Sequence, residues 1–592
     1  MAKLSLGVEM EIGPDKTVVW TQRMATTALN AAGQQSGAQS RIVSSGSTRV
    51  EILDAYTEKA DGGRVPVDQS QIVTQDGVAD RSASFVDIKI RQIPFRDLAI
   101  GDTTVLLLKF VEKEHYFPNQ FSYQQLGLAA AMDFDLNLTL KAPEGMPVAH
   151  AERMFSYEEH SSAGQTLRHW SGSFAGKPVT EKDAANLLET LPAVQFTTFE
   201  SYEAVAKAYY DAAAPKMAVT PAIEKLADEI TAGKDDPRQQ AEAIFEWLTK
   251  NVQYVAVYFG NGRVVPNAVD TILERRFGDC KDHAALMSAL LAAKHIESEQ
   301  VLINIGSEYD LPPVPLAQAF NHVLLYIPSF DLYTDPTAPQ TSFGTLYRTE
   351  MDKPVVRVSK NGALLTRTPA GQSTDNVYRF DSRMWVGEDG LTRGETVMEA
   401  TGEEAQVMRD FVKNAENTGV QAQLEAVGKA RAISGKFELE MPSSRDHVTP
   451  YRLKGSWIGD RSIRLLERGW RPPIGLSPVG TDPEHYLGQF GRSKRILPTV
   501  CRPGQTIQNM TVELPPGVTV KKIPPPVKLE GPIFSAEKWW EVSGQTLAIH
   551  TRLNSTTTHR VCRADTLNDI IDQLEDVKET TNPLLQFVRS AP

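Results

Sequence analysis

Apolar and polar positions alternate through the first third of the chain. Such runs recur at Leu4 to Ile12, Thr17 to Trp20, Ser84 to Ile90, Thr103 to Phe110 and Phe134 to Leu140. Gly13-Pro14-Asp15, Asp61-Gly62-Gly63 and Pro143-Glu144-Gly145 punctuate them. A period of two broken by turn residues predicts strands of a β-sandwich or of twisted antiparallel sheets. The period changes near residue 196. Ser201 to Ala214 is Ala-rich with helical spacing, Thr220-Pro221 opens a helix to Thr231, and Asp236-Pro237 opens another to Lys250. The last places Ala241, Ile244, Phe245 and Leu248 on one face. A fourth helix starts at Cys280 and carries Ala284, Ala285, Leu286, Met287, Leu290 and Leu291. Glu299 to Ile305, Phe320 to Ile327 and Asp331 to Thr337 read as strands, followed by shorter runs at Val355 to Val358 and Ala363 to Thr368.

A Pro, Gly and polar linker, 369–376, precedes renewed alternation. Val377 to Val386 and Leu391 to Ala400 flank Gly387-Glu388-Asp389-Gly390, a hairpin pattern. Helical runs at Glu403 to Lys413, Val420 to Ile433 and Leu567 to Val577 are interspersed with strands near Met510 to Glu513 and Thr546 to Arg552. The expected architecture is multidomain α+β. It comprises a β-rich, sandwich-like domain over 1–195, an α+β core over 196–369 and a β-rich domain over 377–592.

Totals narrow the function. At 592 residues the chain exceeds one ordinary domain, and 41% hydrophobic with 23% charged residues is a globular composition. A net charge of −12 argues against nucleic acid or an anionic membrane as the main partner. No run of 18 apolar residues is present, so no membrane span is expected. The N-terminus lacks an apolar signal-type region, so no signal peptide is expected in the chain as written. Zinc-type Cys and His spacings are missing, which predicts no structural metal site.

Candidate chemistry gathers around Gly278-Asp279-Cys280-Lys281-Asp282-His283. Asp279 is a plausible N-cap, and Cys280 then sits at a helix N-terminus, where unpaired N–H groups and the dipole favour thiolate. Asp279 and Asp282 oppose that effect. A lone helical Cys is ordinarily a small buried hydrophobe. What changes the weighing is the order that follows. His322 opens one strand and Asp335 closes the next, so two adjacent antiparallel strands would set base beside orienting acid, with Cys280 as nucleophile. His283 lies about one helical turn beyond Cys280 and would point alongside the thiol, which makes it helix-start structure or a residue supporting the site from behind, like the oxyanion candidates below. His115, His150, His160 and His169 are scattered and read as surface or structural residues. Gly306 to Ala319, with Pro312, Pro313 and Pro315, is a loop expected to border the cleft.

The Gly-Asp-Cys-Lys-Asp-His helix start, the Asn321-His322-Val323 strand and Tyr333-Thr334-Asp335-Pro336-Thr337 together resemble the core of the transglutaminase-like superfamily. The resemblance covers about 235 to 340. Ile93-Pro94-Phe95-Arg96-Asp97-Leu98 with Gly101-Asp102 resembles, more diffusely, a β-rich domain of unknown function that precedes such cores in bacterial proteins. The resemblance implies a papain-like fold with Cys280, His322 and Asp335 as the catalytic triad. It implies cysteine-dependent acyl transfer at peptide or carboxamide bonds, leaning to hydrolysis, with transglutaminase cross-linking as the alternative. A binding scaffold that keeps the fold without turnover is the reading from another class. A protein or peptide is the expected substrate, the β-rich domains are the expected surfaces for any protein partner, and no cofactor is implied.

The second oxyanion donor stays open. Larger transglutaminases use a tryptophan upstream of the cysteine, but this chain has no Trp between Trp247 and Trp385. Tyr254, Tyr258 and Asn267 are the polar alternatives, each as readily structural. Bacterial proteins of this architecture are commonly exported, which suggests the periplasm. Cys501 and Cys562 are left to pair or to remain thiols; a disulfide would imply an oxidising compartment.

Overall fold

Strict alternation of inward and outward side chains builds the N-terminal sheet. The computed structural model describes residues 2–15, 17–44, 48–76, 84–86, 89–112, 117, 119–127, 133–175, 179, 181–258, 264–473, 475–477 and 494–589. Strands β1 (Ala2–Ile12), β2 (Val18–Ala28), β3 (Thr48–Glu58), β4 (Arg64–Pro66) and β5 (Thr103–Glu112) enter the large sheet. After β6 (Ser122–Leu126) come β7 (Asp133–Pro143), β8 (Ala149–Arg153), β9 (Ser156–Ser162), β10 (Gln165–Phe174) and β11 (Ala193–Thr197). The eight-stranded order is β9-β10-β7-β1-β2-β5-β3-β4, with β1 and β7 parallel. A second sheet, β6-β11-β8, lies over it. Leu4, Leu6, Val8 and Met10 of β1 pack with Leu136, Leu138 and Leu140 of β7, and Trp170, Val194 and Phe196 complete that core. This is the sandwich that the alternation predicts. The expected Ser84 to Ile90 strand is seen as Ser84–Val86 and Lys89–Pro94; residues 87 and 88 lie outside the described residues.

The core follows as α1 (Tyr202–Ala213), α2 (Pro221–Thr231), α3 (Pro237–Asn251), α4 (Val269–Arg275) and α5 (Cys280–Ala293). Ser201, Thr220, Asp236 and Asp279 cap α1, α2, α3 and α5 with their side chains. Helix α5 is buried on nearly every side, from Lys281 through Leu291 apart from Ser288, as suits a central helix. It packs on α2, α3, α4 and on an antiparallel sheet. That sheet runs β14-β13-β12-β15-β16, formed by β12 (Glu299–Ile303), β13 (His322–Ile327), β14 (Leu332–Thr334), β15 (Pro354–Ser359) and β16 (Gly362–Arg367). Ile303 pairs with His322, and Leu325 with Thr334.

Packing divides the chain into two compact units. One comprises Met1–Val179, Asn186–Thr337 and Lys353–Arg367, and so holds the sandwich and the core together. The other comprises Thr180–Ala185, Ala338–Asp352 and Thr368–Pro592. Within the second, an eight-stranded sheet centres on Val377–Val386, which pairs antiparallel with Thr392–Ala400 and parallel with Gly504–Glu513. Tyr378, Phe380 and Met398 pack under the Gly402–Thr418 helix. Cys501 and Cys562 form a disulfide inside a small core with Leu529, Phe534 and Leu567. No helix among the described residues is long and apolar enough to cross a membrane.

Candidate active site

The turn between α4 and α5 is shaped by its own polar groups. Arg276 ends α4 in the left-handed region, at φ 60°, and its guanidinium lies 4.9 Å from the centre of the Trp247 ring. Gly278 then passes close under α5. A Cβ there would come within 2.5 Å of the Asp282 Cβ, so only glycine fits. The buried Asp282 carboxylate accepts hydrogen bonds from the Asn267 backbone N–H at 2.8 Å and from its Nδ2 at 3.0 Å. Asp279 caps the helix, accepting from the Asp282 N–H, and forms an ion pair with Lys281. Both members of that pair are buried. Burial pushes the Asp279 carboxyl up, Lys281 opposes this, and Asp282 adds to it.

Cys280 is the first residue of α5 and stays half-buried. Its N–H, at the start of the helix, has no intrahelical acceptor. His322 at the head of β13 and Asp335 just past β14 are both buried, with Nε2 to Oδ2 at 3.0 Å. The Cys280 side chain lies near enough to the same imidazole to help raise its pKa. Burial pulls the imidazole pKa down, but Asp335, by charge and hydrogen bond, together with Cys280, outweighs it and holds the pKa well above 6.5. Asp335 is fixed in turn by Thr337, whose N–H and Oγ1 each donate to Oδ1 at 2.8 Å.

The remaining expectations resolve differently. His283 is buried with Nδ1 donating to the Asp279 carbonyl at 2.9 Å, within the helix start. Asn267 spends its amide on Asp282 and supports the turn; it is not aimed at an oxyanion. Tyr254 is 46% exposed, with its ring 5.9 Å from that of His283. Tyr258 lies on the strand Ala256–Tyr258, and its side chain falls outside the described residues. His150 pairs with Glu152 and His169 with Thr139, His160 is exposed, and His115 lies outside the described residues.

Sequence reasoning passed over Lys281 and Tyr209. The Tyr209 phenol donates to Gln300 Oε1 at 3.3 Å behind the site. Burial raises its pKa well above the usual value, and its interactions with Cys280, Asp279 and Asp282 add to that. Neither residue carries a sequence signal, since an Ala-rich helix and a Lys on a helix start both read as ordinary surface. Thr337 did carry one: Asp-x-Thr is an Asx-turn pattern.

Residues 224–325 match the model of the transglutaminase-like superfamily. Residues 14–175 match a domain of unknown function with solved structures, DUF3857. The chain therefore carries a transglutaminase-like segment preceded by an N-terminal β-rich domain. No curated relative matches it. Among solved structures, a protein from Parabacteroides distasonis, provisionally described as a protease, covers 99% of both chains at 15% identity with a TM-score of 0.68. The whole multidomain α+β fold is therefore shared with that protein. A provisionally described cysteine protease from Cytophaga hutchinsonii covers 54% of this chain and 75% of its own, at 11% identity and a TM-score of 0.16. A carbohydrate-binding module of the Clostridium thermocellum scaffoldin covers 19% and 68%, at 11% identity and 0.13. At those scores neither bears on the fold. The transglutaminase-like core is the one that papain-like cysteine enzymes use.

Proposed function

We propose that this chain catalyses cysteine-dependent acyl transfer at peptide or carboxamide bonds, with water as the usual acceptor. The observation that carries the reading is one buried imidazole, His322, hydrogen-bonded to Asp335 and close enough to Cys280 for the two to interact. His322 takes the Cys280 proton, and the sulfur attacks the carbonyl carbon. The oxyanion so formed is stabilised by the Cys280 N–H. Collapse of the tetrahedral intermediate expels the amine, which His322 protonates, and leaves a thioester on Cys280. His322 then removes a proton from water, whose oxygen displaces the sulfur and releases a carboxylate. Asp335 keeps the imidazole in register and stabilises its charged form. A primary amine entering instead of water would give transamidation by the same steps. The disulfide between Cys501 and Cys562 supports an oxidising compartment, such as the periplasm, as the site of action.

The test is product analysis. Peptide libraries are incubated with wild type and Cys280→Ala, with and without a primary amine, and resolved by mass spectrometry. New carboxyl termini or deamidated side chains that vanish in Cys280→Ala support hydrolysis. Amine adducts in their place make the chain a transamidase. Identical product spectra from both proteins would rule the reading out.

A further inference from the structure

A cavity of about 300 Å³ opens in the first unit between the sheet β6-β11-β8 and the proline-rich loop 306–319. Its floor is polar. Gln124 and Gln195 are cross-strand partners and share one face of the sheet, while Val194 and Phe196 turn to the sandwich core on the other. Gln195 is only 4% exposed, and its side-chain amide has no hydrogen-bond partner among the described residues. An amide kept in this wall with no protein partner offers a hydrogen-bonding group to whatever enters the cavity. Arg153 also faces the cavity but is committed: Nη1 donates to the carbonyls of Leu188 and Leu191, each at 2.8 Å.

The rim is acidic. Glu189, Glu308 and Asp310 face that single guanidinium. Glu308 accepts from the Leu188 N–H at 3.3 Å, and Asp310 from Asn186 Nδ2 at 2.5 Å, so both are held in place. Burial, reinforced by Asp310 and Glu308, raises the Glu189 carboxyl. Gathering like charges this way costs stability, and a bound cation would return it. The three carboxylates do not converge to within the 4.8 Å that a metal shell needs, which disfavours a bare ion. Leu311, Pro312 and Pro313 add an apolar wall that suits an alkyl stem. Asn304, also in the wall, follows Ile303, the pairing partner of His322.

We propose that this pocket binds an alkyl-ammonium or alkyl-guanidinium group, supplied by a basic side chain of the peptide whose bond is cleaved. The cation sits among Glu189, Glu308 and Asp310, and its stem lies along the proline wall over Gln195. That the cation belongs to a substrate peptide rests on the acyl-transfer reading; the cation site itself does not.

Binding is therefore measured calorimetrically in Cys280→Ala protein, where no chemistry intervenes. The probes are N-acetyl-lysine methylamide, its arginine and norleucine counterparts, and 1,5-diaminopentane. Saturable binding of the cationic probes is expected, weakened at least about tenfold in Glu308→Gln and Asp310→Asn. Gln195→Leu is expected to keep or raise the melting temperature while weakening binding, a split that a merely structural amide would not show. Preference for the capped amino acids assigns the site to a peptide; preference for the diamine assigns the cation to a free polyamine and overturns the substrate assignment. Absence of saturable binding in folded protein, or equal binding of the norleucine probe, would overturn the cation site and leave the acyl-transfer reading standing.

Discussion

His322 carries the account at the scale of single residues. Its raised pKa means that the fold favours the imidazolium. Stability from this group is full below the ordinary value of 6.5 and is lost as pH rises through the higher folded value. In NMR titration the His322 ring should titrate well above 6.5, and Asp335→Asn should bring it down because the facing anion is gone. An unchanged midpoint in Asp335→Asn would remove Asp335 from its role. Lys281 makes a second prediction. Lys281→Met leaves Asp279 buried without its cation, at a cost of about 3–5 kcal/mol in urea unfolding. The positions of Cys280, His322 and Asp335 were legible because a short motif carries each. The burial of Lys281 was not, because whether a lysine beside a cap is solvated depends on what tertiary packing lays over it.

Among elements, caps were the most readable feature. Thr220-Pro221 and Asp236-Pro237 announce α2 and α3, and the start of α5 falls where Asp279 puts it. Helix α4 was missed. It has seven residues, and its end is marked by Arg276 in the left-handed region, where glycine would have been the signal. The strand Phe534–Ser543 was also missed, because its inward face includes a buried Lys538 that breaks the apolar alternation. Strand pairing between β13 and β14 was foreseeable from their short separation. Gly278 tests the turn that delivers Cys280. Gly278→Ala should displace Asp282 and cost about 1–3 kcal/mol, with a matching loss of Cys280 reactivity. A variant of full stability and reactivity would show that the close approach is dispensable.

Over the whole molecule, the order of sandwich, core and β-rich region was visible in the changes of period. The grouping of the sandwich and core into one compact unit was not, since nothing local encodes which surfaces meet. The second unit is tied by the disulfide between residues 61 apart. Replacing Cys501 and Cys562 with Ser should lower its stability by about 4 kcal/mol, read as a shift of one unfolding transition. That variant also isolates Cys280 as the remaining cysteine. On this background the decisive experiment is the rate of Cys280 alkylation against pH, with and without His322→Ala. The account predicts a rate already high near pH 6 that collapses in His322→Ala, the behaviour of a thiol paired with an imidazole. A rate rising only near the free-thiol pKa of about 8.5, indifferent to His322, would contradict it.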